Sequence, residues 1–262
     1  MTVDSPVGSN AAILSVRDLS KHFSGIHALE NVTADISRGR MHGLIGPNGS
    51  GKSTFFNLVS GVLPPSAGSI RLNGEDISAA GAIKIAKQGV ARTFQGGLIV
   101  PTLSCIENTM LGFGSHLRWP LISAMFRLPI RAERQEREAR ERARALLEIV
   151  GLEDQSERWA GELVGVQRQQ LQIARAMSSE PSLLLLDEPT AGMGAAETEE
   201  IEAIIRRINE SGVTIMLVSH DVDLVARLSD DITVLMYGEK ISEGKPGEVL
   251  ADPRVQEAYL GA

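Results

Sequence analysis

Short apolar runs alternate along the chain with longer segments of helical spacing. Ile13–Val16, Val32–Ile36 and Ser69–Leu72 read as strands, the last ended by Asn73-Gly74. Met41–Ile45 is a short apolar run that stops at a glycine-rich turn, and a helix is expected from Lys52 to Ser60. Three strongly apolar runs lie further on: Leu183–Leu186, Val213–Val218 and Ile232–Met236. Each is bounded by charged or turn residues, the pattern of parallel strands buried on both faces. Between the first two, Ala196–Asn209 places Ile201, Ile204, Ile205 and Ile208 on one helical face, which predicts a βαβ unit. The alternation predicts an α/β fold.

The middle of the chain has another texture. From Arg131 to Arg144 arginine and glutamate alternate, and Leu146, Leu147 and Val150 follow just before Gly151. One long helix, Arg131–Val150, is expected, polar at first and packed near its end. Its arginines resemble a basic patch, but Glu133, Glu136, Glu138 and Glu141 stand three and four residues from them. That spacing favours a solvated, salt-bridged helix. No internal repeat or low-complexity linker interrupts the chain.

Composition narrows the function classes. The 262 residues could form one large α/β domain or two small ones. The formal charge of −7 argues against a nucleic-acid binder, which needs a basic surface. Met1–Asn10 is polar, lacks the features of a signal peptide and is expected to be flexible, as part of a terminus spanning 1–12. The nearest approach to a membrane span, Trp119–Ile130, is short and broken by Pro120, Arg127 and Pro129. A soluble chain is expected, with any membrane role exerted through a partner. The single cysteine, Cys105, suits a reducing compartment and reads as a small, half-buried hydrophobe.

Gly46-Pro47-Asn48-Gly49-Ser50-Gly51-Lys52-Ser53 fits G-x-x-x-x-G-K-[ST] in full, between an apolar strand and a helix. Glycines let backbone amides curl around phosphate oxygens with no Cβ in the way. The amides and the following helix N-terminus, with Thr54 in its first turn, supply partial positive charge. Lys52 would reach the outer phosphates, and Ser53 offers a hydroxyl to Mg²⁺. Leu183-Leu184-Leu185-Leu186-Asp187-Glu188 is a buried strand ending in two carboxylates. Asp187 is suited to holding Mg²⁺ through its water shell, and Glu188 to orienting or deprotonating an attacking water. Residue chemistry alone therefore points to a P-loop NTPase that holds a Mg²⁺-bound nucleoside triphosphate.

From about Ile13 to Leu260 the sequence resembles the nucleotide-binding subunits of ABC transporters, with the motifs in that family's order. Thr93-Phe94-Gln95 looks like the Q-loop, which implies that Gln95 meets Mg²⁺ and the attacking water. Ser219-His220-Asp221 looks like the switch region, which implies that His220 contacts the γ-phosphate. Phe23 matches the aromatic that stacks on adenine, although as a residue it could equally belong to the core. Arg92-Thr93-Phe94-Gln95, the arginine/glutamate helix and the tail Glu257-Ala258-Tyr259-Leu260-Gly261 resemble the hydrophobic amino-acid importers that take up branched-chain amino acids.

The resemblance also shows departures. The family signature Leu-Ser-Gly-Gly-Gln is replaced by Leu163-Val164-Gly165-Val166-Gln167, and the D-loop polar residue by Gly194. In the family the signature crosses a dimer interface and caps the γ-phosphate held by the partner. Val164 cannot donate there, and a lost hydrogen bond to a charged acceptor costs ~1.5–3 kcal/mol. The importer branch tolerates loss of the serine, whereas Val166 adds bulk where the backbone comes close. A heterodimer with unequal sites is the implied consequence.

The resemblance implies a RecA-like α/β core, a small antiparallel β-subdomain and an inserted helical subdomain at roughly 96–163 within 13–262. It implies a second ATPase subunit, two membrane permease subunits, an extracellular solute-binding protein delivering substrate, and a place at the cytoplasmic face of the membrane. A catalytically weak structural subunit of a heterodimer, or a soluble ABC ATPase without a transport role, remain alternatives. The identity of the transported solute is not encoded in the residues of an ATPase subunit.

Overall fold

The computed structural model describes residues 11–93, 99–115 and 129–260. The N-terminal residues, Gln95 and most of the Trp119–Ile130 stretch lie outside them. The chain divides into two compact units, one formed by residues 1–82 and 212–262, the other by 83–211.

In the first unit, β1 (Ala12–Phe23) and β2 (Ile26–Ser37) pair antiparallel. Both run well beyond the expected strands, because the pairing continues past polar residues such as Lys21, which faces Leu29, through several register shifts. Ser24 and Gly25, with φ of 39° and 95°, close the hairpin in the paired left-handed geometry that matches strand twist. β3 (Met41–Ile45) enters the phosphate loop and α1 (Lys52–Val59) follows. β4 (Ala67–Leu72) joins the free side of β1 and carries β5 (Glu75–Asp76), giving an antiparallel sheet in the order β2-β1-β4-β5. Ile13, Leu14, Val16, Leu29, Val32 and Ile36 of the hairpin are fully buried. Each such side chain contributes about 1.5–3 kcal/mol by leaving water.

The second unit carries α2 (Ala82–Lys87) at its start, then β6 (Val90–Arg92), α3 (Cys105–Leu111), α4 (Pro129–Ile149), α5 (Val166–Met177), β7 (Leu183–Asp187) and α6 (Ala195–Glu210). β6 and β7 pair in parallel. The expected arginine/glutamate helix is α4. Ala139, Ala143, Leu147 and Val150 form its buried stripe. Its arginines are used in ion pairs: Arg134 with Glu138 at 2.9 Å, Arg140 and Arg144 with Glu157, and Arg142 with Glu180. Cys105 is buried completely rather than half-buried, and burial pushes its thiol pKa up. It opens α3, whose N-terminus Ser104 and Glu107 close with a reciprocal capping box.

The first unit resumes with β8 (Thr214–Val218), α7 (Val222–Leu228), β9 (Asp231–Met236), β10 (Glu239–Gly244), α8 (Pro246–Ala251) and α9 (Pro253–Leu260). β3 lies between β8 and β9 and is parallel to both. β10 returns antiparallel to β9 through a turn at Tyr237 and Gly238, both with positive φ. All five residues of β3 and of β8 are buried, including the polar His42 and Thr214.

Candidate functional site

The first unit brings the phosphate loop and His220 to one edge. Leu44 registers with Val218 on β8 and with Thr233 on β9. The loop and Ser219–Asp221 therefore leave the C-terminal ends of neighbouring parallel strands, where α/β sheets place their ligands. Gly46 has a φ of 152°, and a Cβ there would lie 2.1 Å from the Leu235 carbonyl oxygen. Gly51, at φ 105°, precedes α1, and a Cβ on it would lie 2.6 Å from the Ala28 carbonyl oxygen. The loop closes on itself as Ser50 N–H donates to Pro47 O at 3.2 Å. It is tied to the β9–β10 turn, where Gly238 N–H donates to Ser50 O at 3.1 Å.

Lys52 is buried, and its Nζ donates to Gly46 O at 2.6 Å and Pro47 O at 2.9 Å. Its ammonium is thus folded back over the loop. Asn48, Gly49 and Ser53 are exposed, and Pro47, Gly51 and Thr54 are half-buried. The buried Ser50 Oγ has no hydrogen-bond partner among the described residues. His220 is exposed and follows the buried Ser219, with Asp221 beyond it exposed. Asp221 N–H donates to Ser219 Oγ at 3.1 Å, and its carboxylate accepts from Leu224 N–H at 2.9 Å to cap α7. Phe23 is 41% exposed at the end of β1, with Lys21 Nζ 5.1 Å from its ring centre, so it is not a core residue.

The second unit carries the acidic strand end. Asp187 closes β7, and Arg92 of the neighbouring β6 donates to its carboxylate at 2.7 Å. The two side chains are only 8% and 10% exposed. Thr93 continues this contact: its backbone N–H donates to Leu185 O, and its Oγ1 accepts from Asp187 N–H at 3.3 Å. Gln95, two residues on, lies outside the described residues. Glu188 sits in left-handed backbone at φ 50°, a conformation that costs a non-glycine residue about 1–2 kcal/mol and that clusters at functional sites.

The signature equivalent also lies in this unit, at the start of α5. Leu163 is buried and Val164 is 68% exposed. Gly165, at φ 46°, precedes the helix, and the Gln167 side chain accepts from Val164 N–H at 3.5 Å. Gly194 precedes α6 in extended backbone, so the glycine there is not demanded by conformation. Glu197 accepts from Gly194 N–H at 2.9 Å, and its other carboxylate oxygen would stand 3.1 Å from a Cβ on Gly165. One carboxylate therefore links the two segments that depart from the family pattern.

Three contacts were not foreseen from sequence. Arg92 and Tyr259 stood out only as marks of resemblance, and Glu197 carried no signal. Tyr259, on α9, has a hydrogen bond with the Gly46 backbone, and burial pushes its phenol up to about 12. A cavity of about 550 Å³ lies between the loop residues Pro47, Asn48 and Ser50, the turn residue Tyr237, and Glu257 and Ala258 of α9.

The family described as ABC transporter matches residues 29–191, more than half of the chain. The chain belongs to the ABC transporter family. A second family, the branched-chain amino acid ATP-binding cassette transporter, matches residues 239–262 of the cassette. The high-affinity branched-chain amino acid transport ATP-binding protein BraF of Pseudomonas aeruginosa is 38% identical over 95% of the cassette and 98% of its own length. Among solved structures, the ADP conformation of MJ1267, an ATP-binding cassette of an ABC transporter, superposes with a TM-score of 0.84 at 31% identity over 96% of this chain and all of that one. A dimeric post-hydrolysis state of the cassette MJ0796, bound to ADP and Pi, has a TM-score of 0.75 at 26% identity over 89% of this chain and 98% of that one. The fold is that of a P-loop NTPase, and the cassette is an ATP-binding and ATP-hydrolysing transporter subunit. No helix among the described residues is long and apolar enough to cross a membrane.

Proposed function

We propose that the cassette powers import of branched-chain or related amino acids, as one half of an ATPase dimer beneath two membrane permease subunits at the cytoplasmic face. A solute-binding protein would deliver the substrate. The observation that carries this reading is the match of residues 239–262 to the branched-chain family, in a chain collinear with BraF.

Gly46–Thr54 would wrap the phosphates, Lys52 would turn its ammonium from the loop carbonyls to the outer oxygens, and Phe23 would stack on adenine. The hard oxygen donors of Ser53 and Asp187 suit Mg²⁺, with Gln95 as a further ligand, and the unpartnered Ser50 hydroxyl fits a loop that closes around a ligand. Mg²⁺ bound there would neutralise phosphate charge. Glu188 would orient or deprotonate the attacking water, and His220 would contact the γ-phosphate. Val164, Gly165 and Gln167 would face the partner's nucleotide. The exposure of Val164 suits an interface, but its missing hydroxyl weakens the site it caps, which favours a heterodimer whose stronger site is held by this chain's own loop. The helical subdomain, roughly 96–163, would offer the permease contact together with the segment around Gln95.

Uptake of labelled leucine by cells carrying the cassette and its neighbouring permease genes tests the reading. Uptake should require the cassette and be abolished by Glu188→Gln. Leucine, isoleucine and valine uptake that persists after deletion of the cassette would refute the substrate assignment. Wild-type ATP hydrolysis in Glu188→Gln would refute the catalytic one.

A further inference from the structure

The β1–β2 hairpin carries three ligating side chains that the nucleotide site does not use. His22 Nε2 lies 3.1 Å and His27 Nδ1 2.7 Å from the same Glu30 oxygen. One ligand atom from each residue falls within 4.8 Å of the other two. His22 and His27 are direct cross-strand partners, one residue either side of the Phe23–Ile26 pair that flanks the turn, and their rings stack at 4.2 Å. We propose that His22, His27 and Glu30 form a binding site for a late first-row divalent cation of the Zn²⁺ class.

The spacing supports this. Ligand atoms about 2.0–2.1 Å from a tetrahedral Zn²⁺ stand roughly 3.3 Å apart. The His22 nitrogen–oxygen distance of 3.1 Å already approaches that value, and the His27 distance of 2.7 Å would open by about 0.6 Å. Two imidazoles and one carboxylate are the donor set that Zn²⁺, Ni²⁺ and Cu²⁺ accept, whereas Mg²⁺ and Ca²⁺ prefer oxygen alone. Three protein ligands leave a position for water, and the side chains of His22, His27 and Glu30 are 41%, 62% and 31% exposed, so an ion has access.

The framework holds the ligands in place. His22 N–H donates to Ser66 Oγ at 3.0 Å, and Glu30 N–H donates to Gly238 O at 2.9 Å. The second Glu30 oxygen accepts from Asn31 Nδ2 at 3.4 Å, the kind of outer contact that orients a metal-bound carboxylate. Lys21, next to His22 in the chain, is engaged with Pro64 O and the face of Phe23. To bind a metal, each imidazole would present the nitrogen that now faces Glu30 as a lone pair and carry its proton on the other ring nitrogen.

The test is titration of the full-length, nucleotide-free, chelator-treated chain with Co²⁺. One equivalent should bind with the visible d–d absorption of a four- or five-coordinate ion, and Zn²⁺ should displace it. His22→Ala and His27→Ala should each weaken binding by about tenfold or more, since even outer contacts contribute that much. In the unmutated chain, Zn²⁺ should shift the imidazole NMR signals of His22 and His27, a readout that needs no variant. Absence of Co²⁺ absorption at excess metal, or undiminished binding in the His22→Ala/His27→Ala double variant, overturns the assignment.

Discussion

Replacing Arg92 by Met removes the cation now 2.7 Å from the Asp187 carboxylate. Both side chains are about nine-tenths buried, which sets the magnitude. Removing one partner of a buried pair costs about 3–5 kcal/mol, whereas an exposed pair contributes about 0–1 kcal/mol. The loss should be local to β6 and β7, whose register places Arg92 beside Leu185. Hydrogen exchange of the Leu183–Asp187 amides reads it directly. At about 1.4 kcal/mol per decade, the expected acceleration is roughly a hundredfold to a few thousandfold. Asp187→Asn should show a comparable loss, because Arg92 then loses its carboxylate partner. The double variant should be less perturbed than the sum of the two, since no buried charge remains. Protection in Arg92→Met that falls by less than about fivefold, under ~1 kcal/mol, would refute the reasoning, as would strict additivity in the cycle.

Glu188→Gln should abolish hydrolysis and trap an ATP-bound dimer, seen by size-exclusion chromatography. Glu188→Gly and Glu188→Ala should both be inactive, but the glycine variant should be about 1 kcal/mol the more stable because it accepts φ 50° without a Cβ, as urea melts would show. Burial lowers the pKa of His42, whose imidazole is paired with Thr233 Oγ1 at 2.8 Å. The unfolded chain therefore takes up the extra proton first, so stability is full above about pH 6.5 and falls below it by up to ~1.4 kcal/mol per unit. His42→Asn should flatten that slope in urea melts from pH 8 to 5. Val164→Ser should change the melting free energy by less than about 0.5 kcal/mol, given 68% exposure, while raising ATPase activity of the partnered dimer. Tyr259→Phe should cost about 0.5–1.5 kcal/mol and weaken nucleotide binding through the Gly46 backbone, measured by thermal melts and fluorescent-nucleotide titration.

The phosphate loop, the acidic strand end and most of the buried strands were legible in the chain because each is a local pattern. β3, β8 and α6 lie where their apolar spacing puts them, within a residue or two. A glycine-rich loop with lysine and serine keeps its meaning wherever the strand before it sits. The lengths of β1 and β2 were not legible, since polar residues on an exposed sheet face erase the apolar signal that marks a strand. Only the tertiary structure decided what lies beside what. Strand pairing brought Arg92 to Asp187, a hairpin turn brought His22, His27 and Glu30 to one point, and the packing of α9 brought Tyr259 to Gly46. The first and last are set by packing across long sequence separations and the hairpin cluster by strand register, none of which apolar spacing along the chain records.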